Sequence, residues 1–266
     1  MVRTGRKGGR LSRSALWGAG VMLTAAVGLT GYTALAGEEG QPSSAQPGTG
    51  PPSPSTASPA PVPVSTYSLP ATWTEPQRWL AAPRGARTSG GRATGFPHST
   101  DGAIGMLVAS SGFDVEGSRT LVDEQLAFFT TYTAVSDQTP AREQRIRQGA
   151  AKADARARAT MGLPASGPLP PGAWVRTNLV GFTLIQSQPD AVTAHLLLRT
   201  AQKAGETSPE AVSYAVGTIG VVWRDGDWKL DPAGGASPGP GSAPEIAAPG
   251  DAAFNTQGWT AIRQAS

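Results

Sequence analysis

Residues 211–230 read AVSYAVGTIGVVWRDGDWKL. The run up to Trp223 is rich in β-branched and aromatic residues, the composition of a strand, and its glycines predict a strongly bent one. Asp225-Gly226 is a preferred pair for a two-residue hairpin turn, so WKL should return antiparallel to VVW. Working upstream, VTAHLLLRTAQ (192–202) alternates: Val192, Ala194, Leu196 and Leu198 face one way, His195 and Arg199 the other, on what reads as an exposed face. WVRTNLVGFTLIQ (174–186) is a further strand, and Gln188-Pro189-Asp190 marks the turn that follows it.

The residues before this meander read as helices. Ser99 or Thr100 can cap a helix over Asp101–Ser111, with the Asp101 carboxylate at the positive helix end. After Ser118, Leu121, Val122, Leu126 and Phe129 recur at helical spacing. Pro140 opens a third helix in which Ile146, Ala150, Ala153, Ala157 and Met161 form one narrow face, and Gly162 and Pro164 stop it. Helices first and an antiparallel meander second predict an α+β domain.

Outside this region the composition changes. Arg3, Arg6, Lys7, Arg10 and Arg13 precede 24 uncharged residues, 14–37, long enough to cross a bilayer core of about 30 Å. The basic flank predicts a cytoplasmic N-terminus. The expected organisation is a cytoplasmic stub at 1–13, a transmembrane signal anchor at 14–37 and a Pro-rich linker at 38–70 with nine prolines. An extracytoplasmic domain at 71–231 and a Pro/Gly-rich disordered tail at 232–266 complete it. Ala34-Leu35-Ala36 also fits a signal-peptidase site, and both readings export the domain. In extended polyproline form the linker could reach on the order of 100 Å.

With no cysteine, disulfides, thiol nucleophiles and thiolate metal sites are excluded. The five N-terminal cations exceed the formal net charge of +3, so the remainder carries 17 basic against 19 acidic residues. The basic pI therefore describes the stub rather than the domain.

Three helices, a bent sheet and the closing Trp223–Leu230 hairpin resemble the cone-shaped nuclear transport factor 2-like (SnoaL-like) fold. A basic stub, one membrane helix, a Pro-rich spacer and such a domain are similar to the TcpC-type and VirB-eight-type conjugation subunits. The segment GFPHSTDGA, Gly95–Ala103, also looks like one in membrane proteins of actinobacterial conjugative elements. Mce-associated membrane proteins share the plan. The resemblance implies a non-enzymatic membrane-anchored scaffold of a conjugative or type IV secretion-like apparatus, with no cofactor. The alternatives are an Mce-associated small-molecule or lipid-binding protein and a SnoaL-like enzyme. The implied partners are membrane lipid, other subunits and further copies of the chain.

His98, Ser99 and Asp101 are triad residue types, but neighbours at a helix start diverge rather than converge, and the chain has no G-x-S-x-G turn. The segment reads as a stiff loop and a helix cap. Two distant histidines give no zinc spacing, and Asp225 and Asp227 lack the further ligands of a calcium loop. The third helix holds six basic residues, including Arg145, Lys152 and Arg156, and is the candidate contact for an acidic partner. It has no interleaved aromatics, so direct nucleic-acid binding is not expected. Phe254 and Trp259, in an apolar island of the tail, are candidate anchors for a partner.

Overall fold

A computed structural model of the chain describes residues 70–231 and 243–263. The expected stub and anchor, with the linker as far as residue 69, lie outside the described residues. Among the described residues no helix is long and apolar enough to cross a membrane.

The elements run β1 (Trp79–Ala81), β2 (Arg87–Ser89), β3 (Arg92–Thr94), α1 (Thr100–Ser111), β4 (Phe113–Glu116), α2 (Leu121–Tyr132) and α3 (Pro140–Thr160). The meander β5 (Ala173–Gln188), β6 (Ala191–Ala204), β7 (Ala211–Arg224) and β8 (Asp227–Leu230) follows, and α4 (Ala252–Thr256) and β9 (Thr260–Arg263) close the chain. One seven-stranded sheet has the order β1-β9-β5-β6-β7-β8, with β4 also paired to β5. Every pairing in it is antiparallel except β1 with β9. β2 and β3 form a separate ribbon, turned by Gly90 and Gly91 at positive φ.

This overturns the expected fold class. The chain does not form a cone-shaped nuclear transport factor 2-like domain of three helices on an antiparallel sheet. It forms a mixed α/β domain whose large sheet contains a parallel pair and its last strand, with four helices among the described residues. The strands responsible, β1, β4 and β9, are three or four residues long. Such lengths are too short for an alternation to register in the sequence.

The expected helices owe their ends to local chemistry. Ser99 caps α1, its hydroxyl accepting from the Gly102 amide at 3.1 Å. Thr120 and Asp123 make a reciprocal capping box on α2. These hydrogen bonds from Thr120, side chain first and backbone second, hold the Asp123 carboxyl below its ordinary range. A depressed carboxyl stabilises the fold above its unfolded pKa of about 3.9, and the contribution disappears as pH falls through the native value. The stability gap between the wild type and Asp123→Asn should therefore be constant near neutrality and shrink below about pH 4. Urea titrations at graded pH measure it; a gap that widens in acid contradicts the assignment.

Both faces of the sheet are covered. On one side α1, α2 and α3 pack Ile104, Leu107, Phe129, Tyr132 and Ile146 over Leu179, Leu196 and Leu198. On the other, Ala247, Phe254, Trp259 and Ala261 pack with Leu197. Successive side chains of a strand point to opposite faces, so the Leu196-Leu197-Leu198 run feeds both cores. The tail expected to be disordered is, over residues 243–263, part of the fold. Burial pushes the Tyr132 hydroxyl up to about 12, which keeps it a donor to the Ala93 carbonyl at 3.0 Å.

Candidate functional site: a cationic flank of helix α3

α3 is the longest helix among the described residues, with Thr139 capping its first turn, Pro140 opening it, and 21 residues to Thr160. Ile146, Ala150, Ala153 and Ala157 turn inward. Its cations divide into two groups. Arg142 pairs with Asp137 at 2.7 Å, Arg147 with Glu143 at 2.9 Å, and the buried Arg158 with Asp154 at 2.7 Å. Both carboxylates of the helix are used in this way. Arg145, Lys152 and Arg156 are exposed and have no ion pair among the described residues.

These three are spaced seven and four residues apart, so at 3.6 residues per turn they lie within about 40° of one another. They span about 16 Å of helix. Glu143, Arg147, Asp154 and Arg158 fall on the other flank of the buried face. The helix thus neutralises one flank internally and leaves the other positive. An uncompensated row of cations on a rigid helix attracts an acidic surface, mainly by raising the association rate and fixing register.

The other sequence candidates are placed differently. Phe254 and Trp259, expected as partner anchors, are fully buried in the core beneath the sheet. The Trp259 indole N–H donates to the Glu245 carbonyl at 3.1 Å. Their apolar character was legible, but the surface they fill belongs to this chain. His195 is also buried, with Nδ1 3.0 Å from the Thr218 hydroxyl, because its face of β6 is shared with Leu197.

The segment Gly95–Ala103 and the β7–β8 hairpin prove to be one structural unit. The buried Asp227 carboxylate accepts from the Gly95, Phe96 and Trp228 amides at 2.7, 3.0 and 2.9 Å. Trp228 Nε1 donates to the Pro97 carbonyl at 2.8 Å. His98 lies flat on Trp223, centroids 4.1 Å apart, and its Nε2 is 2.8 Å from Asp190 on the β5–β6 turn. The histidine therefore meets an aspartate 92 positions away rather than Asp101, while the Ser99 hydroxyl is held by its helix cap. Gly102 completes the fit: a Cβ there would lie 1.9 Å from the Pro97 carbonyl oxygen. Stacking is worth about 0.5–1.5 kcal/mol and a hydrogen bond about 0.5–1.5. His98→Ala should accordingly lower stability by about 1–3 kcal/mol in thermal or urea denaturation. No change would remove this histidine from the structural unit.

A cleft of about 580 Å3 opens beside the β2–β3 turn. Arg92, Arg119 and Arg176 line it opposite Asp114, Asp123 and Glu124. Buried Glu124 pairs with both Arg92 and Arg119, at 3.2 Å for the latter, and Arg176 pairs with Asp114 at 3.1 Å. A charge-lined cleft of this kind does not suit an acyl chain. No cluster of three or more metal-ligating side chains occurs among the described residues.

No curated protein and no solved structure matches the chain. Residues 126–249, from the middle of α2 through α3 and the whole meander, match a family described as a domain of unknown function, DUF8175, so the part of this chain similar to that family is the part that carries the cationic flank.

Proposed function

We propose that this protein is a membrane-tethered docking subunit, whose exported domain binds an acidic face of another protein through Arg145, Lys152 and Arg156. The observation that carries the reading is the division of charge on α3, with one flank neutralised and the other left positive. The N-terminal sequence supports the tether: five basic residues, 24 uncharged ones and a Pro-rich stretch. The likeness of that plan, and of Gly95–Ala103, to conjugative-element membrane proteins makes a conjugative or type IV secretion-like apparatus the setting proposed. The subunit acts as a scaffold rather than an enzyme. The Mce-associated alternative needs a lipid site, and the charged cleft does not favour it.

The test reverses the three charges together, Arg145→Glu, Lys152→Glu and Arg156→Glu. Exposed substitutions of this kind each change stability by only about 0.5 kcal/mol or less. The melting temperature should therefore stay nearly constant. Affinity for a poly-glutamate peptide, read by fluorescence anisotropy at low salt, should fall on the order of 10-fold or more. Equal binding by both forms would contradict the docking flank.

A further inference from the structure

The C-terminal segment is built as a separable piece. Within it, the Glu245 amide donates to Gln257 Oε1 at 3.1 Å, Trp259 donates to the Glu245 carbonyl, and the Phe254 and Trp259 rings lie 6.5 Å apart. It seats as a unit in an acceptor made by the rest of the chain. β9 enters between β1 and β5, pairing Ala261 with Trp79 on one side and Gly181 on the other. The Phe254 ring takes the space above Gly181, where a Cβ would stand 3.1 Å from it. Residues 74–78 hold the segment by their backbones. The Thr74 amide donates to the Gly250 carbonyl and the Gln77 amide to Asn255 Oδ1, while Asn255 Nδ2 donates to the Glu75 carbonyl. β9 is the sheet neighbour of β1, so both ends of the domain depend on this one docking.

The connection to the meander, residues 232–242, reads PAGGASPGPGS and contains no apolar side chain larger than alanine or proline. Eleven residues can span up to about 36 Å. Nothing in that sequence distinguishes a copy's own acceptor from the same acceptor on a neighbour; the preference for its own comes from effective concentration alone.

We propose that residues 243–263 form an exchangeable strand, and that a second copy of this chain accepts it in the groove between β1 and β5. The exchange yields an isologous dimer with every contact of the monomer preserved. For a short connection between two binding elements the effective concentration is in the millimolar range. Refolding at about 100 μM should then place on the order of a tenth of the segments in a neighbouring copy.

The chain has no cysteine, which makes a direct test available. Ala81 and Arg263 are exposed and in register on β1 and β9. Adjacent strands lie about 4.8 Å apart, within the range a disulfide spans. Full-length Ala81→Cys and full-length Arg263→Cys chains are mixed, unfolded in urea under reducing conditions, refolded together and oxidised. Only an exchanged segment brings these two positions into register. The expected result is a covalent heterodimer of on the order of a tenth of the chains, rising with refolding concentration. The control mixture pairs Ala81→Cys with Gln148→Cys on the surface of α3, where only random collision forms a disulfide. If the 81–263 heterodimer is no more abundant than the 81–148 product, the segment does not exchange.

Discussion

Ending the chain after Asp231 is expected to abolish the stable fold. The lost segment carries Phe254 and Trp259, both fully buried, and strand β9 from inside the sheet. Truncating one buried aromatic to alanine costs about 3–5 kcal/mol, and a domain of this size is stable by about 5–15 kcal/mol. Two such rings, with the release of β1, exceed the lower end of that range. The truncated chain should be insoluble or open over residues 73–81, and Trp259→Ala alone should lower stability by about 3–5 kcal/mol. Circular dichroism melting and hydrogen exchange of the two variants measure this. A truncated chain that melts like the wild type would return the segment to the status of an accessory peptide.

The second large effect lies in the hairpin. Trp228 is fully buried and its indole N–H is satisfied by the Pro97 carbonyl, so Trp228→Ala should cost about 3–5 kcal/mol. Asp227→Ala leaves the Gly95, Phe96 and Trp228 amides without their shared acceptor, at about 1–3 kcal/mol for each buried group left unpaired. Asp225, two residues earlier, is exposed at φ 55° in the turn itself. Its replacement by glycine relieves a left-handed non-glycine residue and should leave stability unchanged or slightly raised. The contrast between two aspartates of one DGD turn is the informative result. Equal effects at 225 and 227 would mean that the carboxylate does not organise the loop.

Periodicity and turn chemistry made the three long helices, the meander and its Asp225-Gly226 turn legible, because each spans enough residues to show its period. The fold class was misread because it turns on short pieces. A five-residue helix and a four-residue strand after a Gly/Pro-rich stretch carry no period of their own. One signal did exist: Leu196-Leu197-Leu198 is apolar on both faces of β6, which is the mark of a strand covered on both sides. Gly90-Gly91 likewise announced the β2–β3 turn. The pairing of His98 with Asp190 and the convergence of the Gly95 and Phe96 amides on Asp227 join residues some hundred positions apart, and no local pattern contains them. On α3 the sequence showed six cations but not which of them the helix itself neutralises; that selection needed the side-chain geometry.

The central claim is that the positive flank of α3 is where a partner docks, and site-specific photo-crosslinking tests it most directly. A photoreactive residue at Gln148, exposed beside Arg145 and Lys152, is compared with one at Glu206, exposed just beyond the end of β6 and next to Gly172. In cells that make the protein naturally, the 148 position should give one discrete protein adduct. That adduct should disappear when Arg145, Lys152 and Arg156 are changed to glutamate, while the melting temperature holds. An adduct that survives the reversal, or equal yields from 148 and 206, would contradict the account.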